Sequence, residues 1–162
     1  MPVARRSTNR TVSEVRGDLE LVITRTIDGP ARIVFDCWTK VELMTRWWAP
    51  NAIGVAGDGF VSDVRVGGKY RQVLRMHGGG EIAFSGTYLE VEPPERLVYT
   101  TIFEPRPEAG EVLCTVTFEE RAGKTHIVLH EKFPSRDALE AAMCGGMDAS
   151  LEQLDELVGS LL

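Results

Sequence analysis

The sequence predicts an α+β domain in which one antiparallel sheet packs against a long C-terminal helix. Three observations predict it. Strand-like runs separated by short turns follow one another between Phe60 and Phe133, two short apolar-faced segments precede them, and after Ser135 the apolar spacing changes from every second residue to every third or fourth. With 162 residues, 43% of them hydrophobic and 26% charged, the chain is long enough for one full core. A chain of this size buries about two thirds of its unfolded surface, so it needs neither metal nor disulfides for stability.

The elements follow in order. Leu19 to Ile27 is rich in β-branched residues and stops at Asp28-Gly29-Pro30, which reads as a strand and then a turn that opens a helix, with Pro30 in its first turn. Val34, Phe35 and Trp38, then Val41, Leu43, Met44, Trp47 and Trp48, mark two short helices that end at Ala49-Pro50. Phe60–Val66 and Lys69–Met76 flank Gly67-Gly68, a dipeptide suited to a two-residue hairpin loop. Ile82–Val91, Leu97–Phe103, Val112–Glu119 and Thr125–Phe133 continue the meander, giving about six strands. Leu139, Met143, Met147, Leu151, Leu154, Val158 and Leu161 then line one face of a terminal helix, which Ser135 caps and Asp137 favours electrostatically. Gly145 and Gly146 lie within that pattern and cost about 1 kcal/mol each in a helix, so they mark either a close approach or a break between two segments.

The expected organisation is β-α-α-β6-α, a single domain over residues 17–162 behind a flexible arm of residues 1–16. Arg5, Arg6, Arg10 and Arg16 against Glu14 make the arm basic, although the whole chain carries −6, so its body is acidic. An acidic body does not displace counterions from phosphates, which argues against nucleic acid as a partner. Cys37, Cys114 and Cys144 form no CxxC pair and no even framework, which suits a reducing compartment. No run reaches the length of a membrane span and the N-terminus lacks a secretory apolar run, so a cytoplasmic location is expected.

The residues that carry this order also carry a resemblance. Ala31…Val34-Phe35…Trp38-Thr39, Trp47-Trp48-Ala49-Pro50, Asp63-Val64-Arg65-Val66-Gly67-Gly68-Lys69-Tyr70-Arg71, Gly86-Thr87-Tyr88, Pro94-Glu95-Arg96-Leu97-Val98 and Thr125 resemble the AHSA1-like branch of the START/Bet v 1-like (SRPBCC) superfamily over roughly residues 18–162. The resemblance implies a helix-grip fold, a curved antiparallel sheet wrapped around a long C-terminal helix with a hydrophobic cavity between them. It implies fold more than function, because the superfamily hosts carriers, receptors and enzymes. Met147 stands where many relatives place an aromatic residue.

Candidate site residues come from faces. A two-residue loop at Gly67-Gly68 pairs Arg65 with Tyr70, Asp63 with Gln72 and Val61 with Leu74, and places all six side chains on one face. Turned inward, Asp63 and Arg65 would steer a polar ligand head beside Tyr70, Gln72 and Leu74. Turned outward, they form an ordinary cross-strand surface cluster. Trp47, Phe84, Tyr88, Met143 and Met147 would line a cavity or fill the core. His126 and His130, four apart on one strand, are separated by about 13 Å, too far to share a metal ion. No G-x-S-x-G motif, CxxC pair or phosphate-binding glycine loop occurs, so no cofactor is implied.

The expected role is non-covalent binding of a hydrophobic or amphipathic small molecule between terminal helix and sheet, with no catalytic residue assigned. Two alternatives stay open. One is an enzyme of cyclase, dehydratase or hydrolase type, with Asp63 as base and Arg65 or Tyr70 stabilising an oxyanion. The other is a protein-interaction or chaperone-associated module that exposes Trp47 or Trp48. An open sheet edge would also allow a homodimer.

Overall fold

A computed structural model of the protein describes residues 9–143 and 146–162; the start of the expected arm, Cys144 and Gly145 lie outside them. Nine strands form one antiparallel sheet: β1 (Val12–Arg16), β2 (Glu20–Ile27), β3 (Gly54–Ala56), β4 (Val61–Ser62), β5 (Lys69–Met76), β6 (Glu81–Glu92), β7 (Arg96–Phe103), β8 (Val112–Arg121) and β9 (Lys124–Lys132). Their order is β1-β2-β9-β8-β7-β6-β5-β3, with β4 also on β5. Strands β8 and β9 alternate as a one-sided sheet requires. In β9, Thr125, Ile127 and Leu129 are buried while the residues between them reach solvent.

Helices α1 (Ala31–Thr39) and α2 (Val41–Met44) lie between β2 and β3, and α3 (Arg136–Met143) and α4 (Met147–Ser160) follow β9. Pro30 stands at the N-cap of α1, one position ahead of the expected first turn. The Ser135 hydroxyl accepts the Ala138 amide at 3.1 Å, which is the cap the sequence suggests. Helix α4 buries Leu151, Leu154 and Val158 in one core cluster with Val34, Leu97, Val116, Ile127 and Leu129. Beside it, Asp155 accepts the buried Arg25 guanidinium at 3.0 Å and ties α4 to β2.

Three expectations are corrected. Residues 12–16, read as part of an arm, form β1: Ser13 pairs with Ile23 and Val15 with Leu21, although every residue of the strand is exposed. Backbone pairing rather than an apolar face holds it, so no burial pattern announced it. The terminal helix is two helices, because Gly146 takes a left-handed conformation at φ 77° ahead of α4. A side chain there would place its Cβ 3.0 Å from Pro50.

The third correction concerns the hairpin. Val61 pairs with Arg71 and Ser62 with Tyr70, three positions away from the expected register. The chain between Ser62 and Lys69 makes a longer turn. Gly67 donates its amide to the Tyr88 carbonyl and Gly68 accepts the Tyr88 amide, so the glycines bind β6 instead of closing a two-residue loop. An odd shift in register moves every side chain of the short strand to the other face.

Candidate functional site

The corrected register separates the residues that were expected together. Asp63 and Arg65 are exposed and pair with each other at 2.8 Å outside the sheet, and Val61 is exposed as well. Tyr70 and Leu74 point into the core, and half-buried Gln72 points the same way, with its amide 3.1 Å from the Met44 sulfur. Trp47 is buried, donating its indole N–H to the Cys37 carbonyl at 2.7 Å, so it is structural core. Tyr88 is buried and its hydroxyl meets Ser62 at 2.8 Å. Phe84 is half-buried, with its ring edge-to-face against Trp48 at 5.5 Å and tilted against Phe103 at 5.2 Å. Met147 is half-buried against the core, whereas Met143 is 58% exposed.

The concave face is not filled evenly. Beneath α4 and α1 it is closed, with Leu97, Val116 and Ile127 completely buried and Leu129 at 1% exposure. Toward the end where β9 runs into α3, the inward residues Tyr99, Thr101 and Phe103 of β7, Phe84 of β6, Val112 of β8 and Glu131 of β9 all keep partial contact with solvent. Helix α3 leaves β9, whereas Gly146 at the start of α4 meets Pro50 and Ile53 in the loop ahead of β3 at the far edge. Gln153 and Ser150 hold α4 there, donating to the Trp47, Ala49 and Trp48 carbonyls at 2.7–2.8 Å.

A polar line runs across this half-open end. Glu131 pairs with Cys114, Cys114 with Tyr99, and Tyr99 with Tyr88, so four inward side chains stand side by side on adjacent strands. Tyr70 joins them from β5, its ring 5.4 Å from Tyr88 and 5.8 Å from Tyr99, with its hydroxyl donated to the Thr100 carbonyl. Gly86 makes room for this ring. A Cβ at residue 86 would lie 1.8 Å from the Thr100 oxygen and 2.8 Å from Tyr70.

Glu131 is the charged member. Its side chain retains some solvent contact, yet its carboxyl is crowded by protein, and this desolvation raises its pKa from 4.5 to about 7. The Cys114 thiol lies 4.0 Å from a Glu131 oxygen. Among the described residues no lysine, arginine or histidine forms a salt bridge with it. Desolvation, followed by the neighbouring Glu131 charge, drives the Cys114 thiol well above its usual range. Tyr99 is raised by burial first, then by Cys114, Tyr70 and Glu131, against a hydrogen bond with Trp38. The row is therefore one ionisable acceptor beside neutral, weakly acidic neighbours.

Sequence reading missed Glu131, but a signal was present. Thr125, Ile127, Leu129 and Phe133 occupy alternate positions, and Glu131 stands in the same line. A carboxylate that interrupts a buried apolar line is more informative than a carboxylate near a glycine turn. Two surface clefts lie elsewhere, one lined by Thr26, Glu119, Arg121, Lys124 and His126, the other by Arg71, Val73, Glu81, Ile82, Ala83, Glu104 and Pro105. Among the described residues no helix is long and apolar enough to cross a membrane, and no group of three or more His, Cys, Asp or Glu is placed to hold a metal.

Curved antiparallel strands, a helix that closes one half of their concave face, and a half-open polar and aromatic end together define a helix-grip domain of the START/Bet v 1-like kind. The chain belongs to the activator of Hsp90 ATPase homologue 1-like family, whose model matches residues 28–159. The fold is similar to that of a protein from Arthrobacter aurescens, with a TM-score of 0.80 at 21% identity over 92% of this chain and 91% of that one. A Rhodobacter sphaeroides protein gives 0.79 at 18% identity, covering 93% of this chain and 97% of its own. A Chromobacterium violaceum protein gives 0.75 at 26% identity, covering 86% and 97%. A search of curated proteins finds no match.

Proposed function

We propose that the protein binds a hydrophobic or amphipathic small molecule at the half-open end of the concave face, between α3 and strands β6 to β9. The observation that carries this reading is the exposure gradient. One sheet face, fully closed at Leu97, Val116 and Ile127, leaves Phe84, Tyr99, Thr101, Phe103 and Val112 partly open at its other end. Apolar and aromatic walls with a few convergent polar groups are what small-molecule sites need. The reading moves the site away from α4, whose inner face is already core, and away from Asp63 and Arg65.

Titration with the neutral fluorophore N-phenylnaphthylamine tests it. Saturable one-to-one enhancement is expected, together with loss of that enhancement in Thr101→Phe, which fills the strip and gives up the Thr101 hydrogen bond with Tyr70. Unchanged circular dichroism would show that the variant is folded. Absence of saturable binding to the wild-type protein, or equal binding to a folded Thr101→Phe, overturns the reading.

A further inference from the structure

Resting on that reading, we infer that the site selects its ligand's head group, accepting a hydrophobic molecule that ends in a hydrogen-bond donor and rejecting one that ends in a carboxylate. The geometry behind this is the Glu131 carboxyl at the inner edge of the half-open strip, level with Cys114, Tyr99 and Tyr88.

Inward positions of a one-sided sheet are almost always apolar, and a carboxyl on such a line calls for an explanation. Glu131 faces a thiol at 4.0 Å, a weak donor at the limit of sulfur geometry, and among the described residues it has no cation within 4.0 Å. The Tyr70 hydroxyl is donated to the Thr100 carbonyl, the Tyr88 hydroxyl shares a hydrogen bond with Ser62, and the Tyr99 hydroxyl accepts the Trp38 indole N–H. Among the described residues the Cys114 thiol is the one hydrogen-bond donor on the Glu131 carboxyl, which otherwise faces apolar surface and aromatic rings. An amine or hydroxyl on an apolar chain lying along Thr101, Phe103 and Phe84 would supply a stronger donor. An ammonium group gains additionally from the neighbouring tyrosine ring faces.

The same carboxyl opposes an anionic head. Above pH 8, where Glu131 stays ionised, two like charges about 5 Å apart in a partly desolvated site repel strongly enough to weaken binding by at least about tenfold. Fatty carboxylates are therefore the class against which the site discriminates, while their alcohol and amine counterparts of equal chain length are accepted.

The experiment compares decylamine, decanol and decanoate at pH 8.5, where Glu131 is ionised, each below its micelle concentration, by displacement of N-phenylnaphthylamine from the wild-type protein and from Glu131→Gln. The expected result is that decylamine and decanol displace the probe at least about tenfold better than decanoate, and that Glu131→Gln abolishes most of this difference by improving decanoate. Equal displacement by all three from the wild-type protein overturns the head-group inference and leaves the binding site standing. Discrimination that survives intact in Glu131→Gln overturns the role of Glu131. Failure of the probe and of all three compounds to bind overturns the site itself.

Discussion

Replacing Glu131 by glutamine should make the protein more stable at pH 8 than the wild type, and progressively less so as the pH falls. The folded protein holds this carboxyl at about 7 against an ordinary 4.5, through desolvation. A raised carboxyl pKa means that the folded state binds the proton more tightly than the unfolded chain does. Its stabilising contribution is complete below pH 4.5 and is lost as the pH rises through 7. The difference between those two values corresponds to on the order of 3 kcal/mol, and residual solvent contact at Glu131 makes this an upper figure. For a domain of this size it amounts to roughly 6–12 °C in melting temperature between pH 5 and 8. Glutamine keeps the shape and removes the titration. The groups facing Glu131 stay neutral over this range, since the Cys114, Tyr99 and Tyr70 pKa values are all raised, chiefly by burial. His130, paired with Glu20 at 3.4 Å from the adjacent strand position, is common to both proteins and cancels in the difference. Thermal melts of the two proteins across pH 5–8 read the effect directly. Parallel curves of melting temperature against pH would refute the assignment of a desolvated carboxyl to this position.

Three further outcomes are expected. Asp155→Ala leaves the Arg25 guanidinium buried without its carboxylate and should cost about 3–5 kcal/mol, measured by urea denaturation. Gly86→Ala drives a Cβ to within 1.8 Å of the Thr100 backbone oxygen, so it should push β6 and β7 apart and lower stability by more than about 4 kcal/mol, visible as an early urea midpoint or failure to fold. The double variant Asp63→Asn, Arg65→Gln breaks an exposed pair and should change stability by less than about 1 kcal/mol and leave N-phenylnaphthylamine binding unaltered. A large loss of probe affinity in that variant would return the pair to the site.

Much of the architecture was legible because it follows from burial. Alternation along β8 and β9 and the spacing of Leu151, Leu154 and Val158 report which side of each element is apolar, and the core uses those sides. Features governed by backbone geometry were harder to read. Strand β1 has no buried side chain, so composition could not distinguish it from an arm. The Gly67-Gly68 turn had the residues of a tight hairpin, but its hydrogen bonds to Tyr88 in β6 fix a longer loop, a tertiary choice that no local pattern encodes. That register error carried directly into the candidate list, because it put Asp63 and Arg65 on the same face as Tyr70, Gln72 and Leu74, whereas both are exposed. Tyr70, Gln72, Phe84, Tyr88 and Met147 are buried or half-buried, because their own strands or helix set their direction.

Two departures from ordinary folding rules fall on the half-open strip. The carboxyl of Glu131 lies on an inward line that is otherwise apolar, and Gly86 lets the Tyr70 ring approach β7. Two others lie elsewhere: the β6–β7 register shifts between Tyr88 and Glu90, next to buried Val98 and Leu97, and the helix pattern breaks at Gly146, beside Pro50 ahead of the edge strand β3. Sequences tend to break local rules where function demands it. A strip optimised only for stability would have an apolar residue in place of Glu131. These two costs favour the strip as the proposed site over the better-packed half, where a guest would have to displace Leu151, Leu154 and Val158 from a core they already fill.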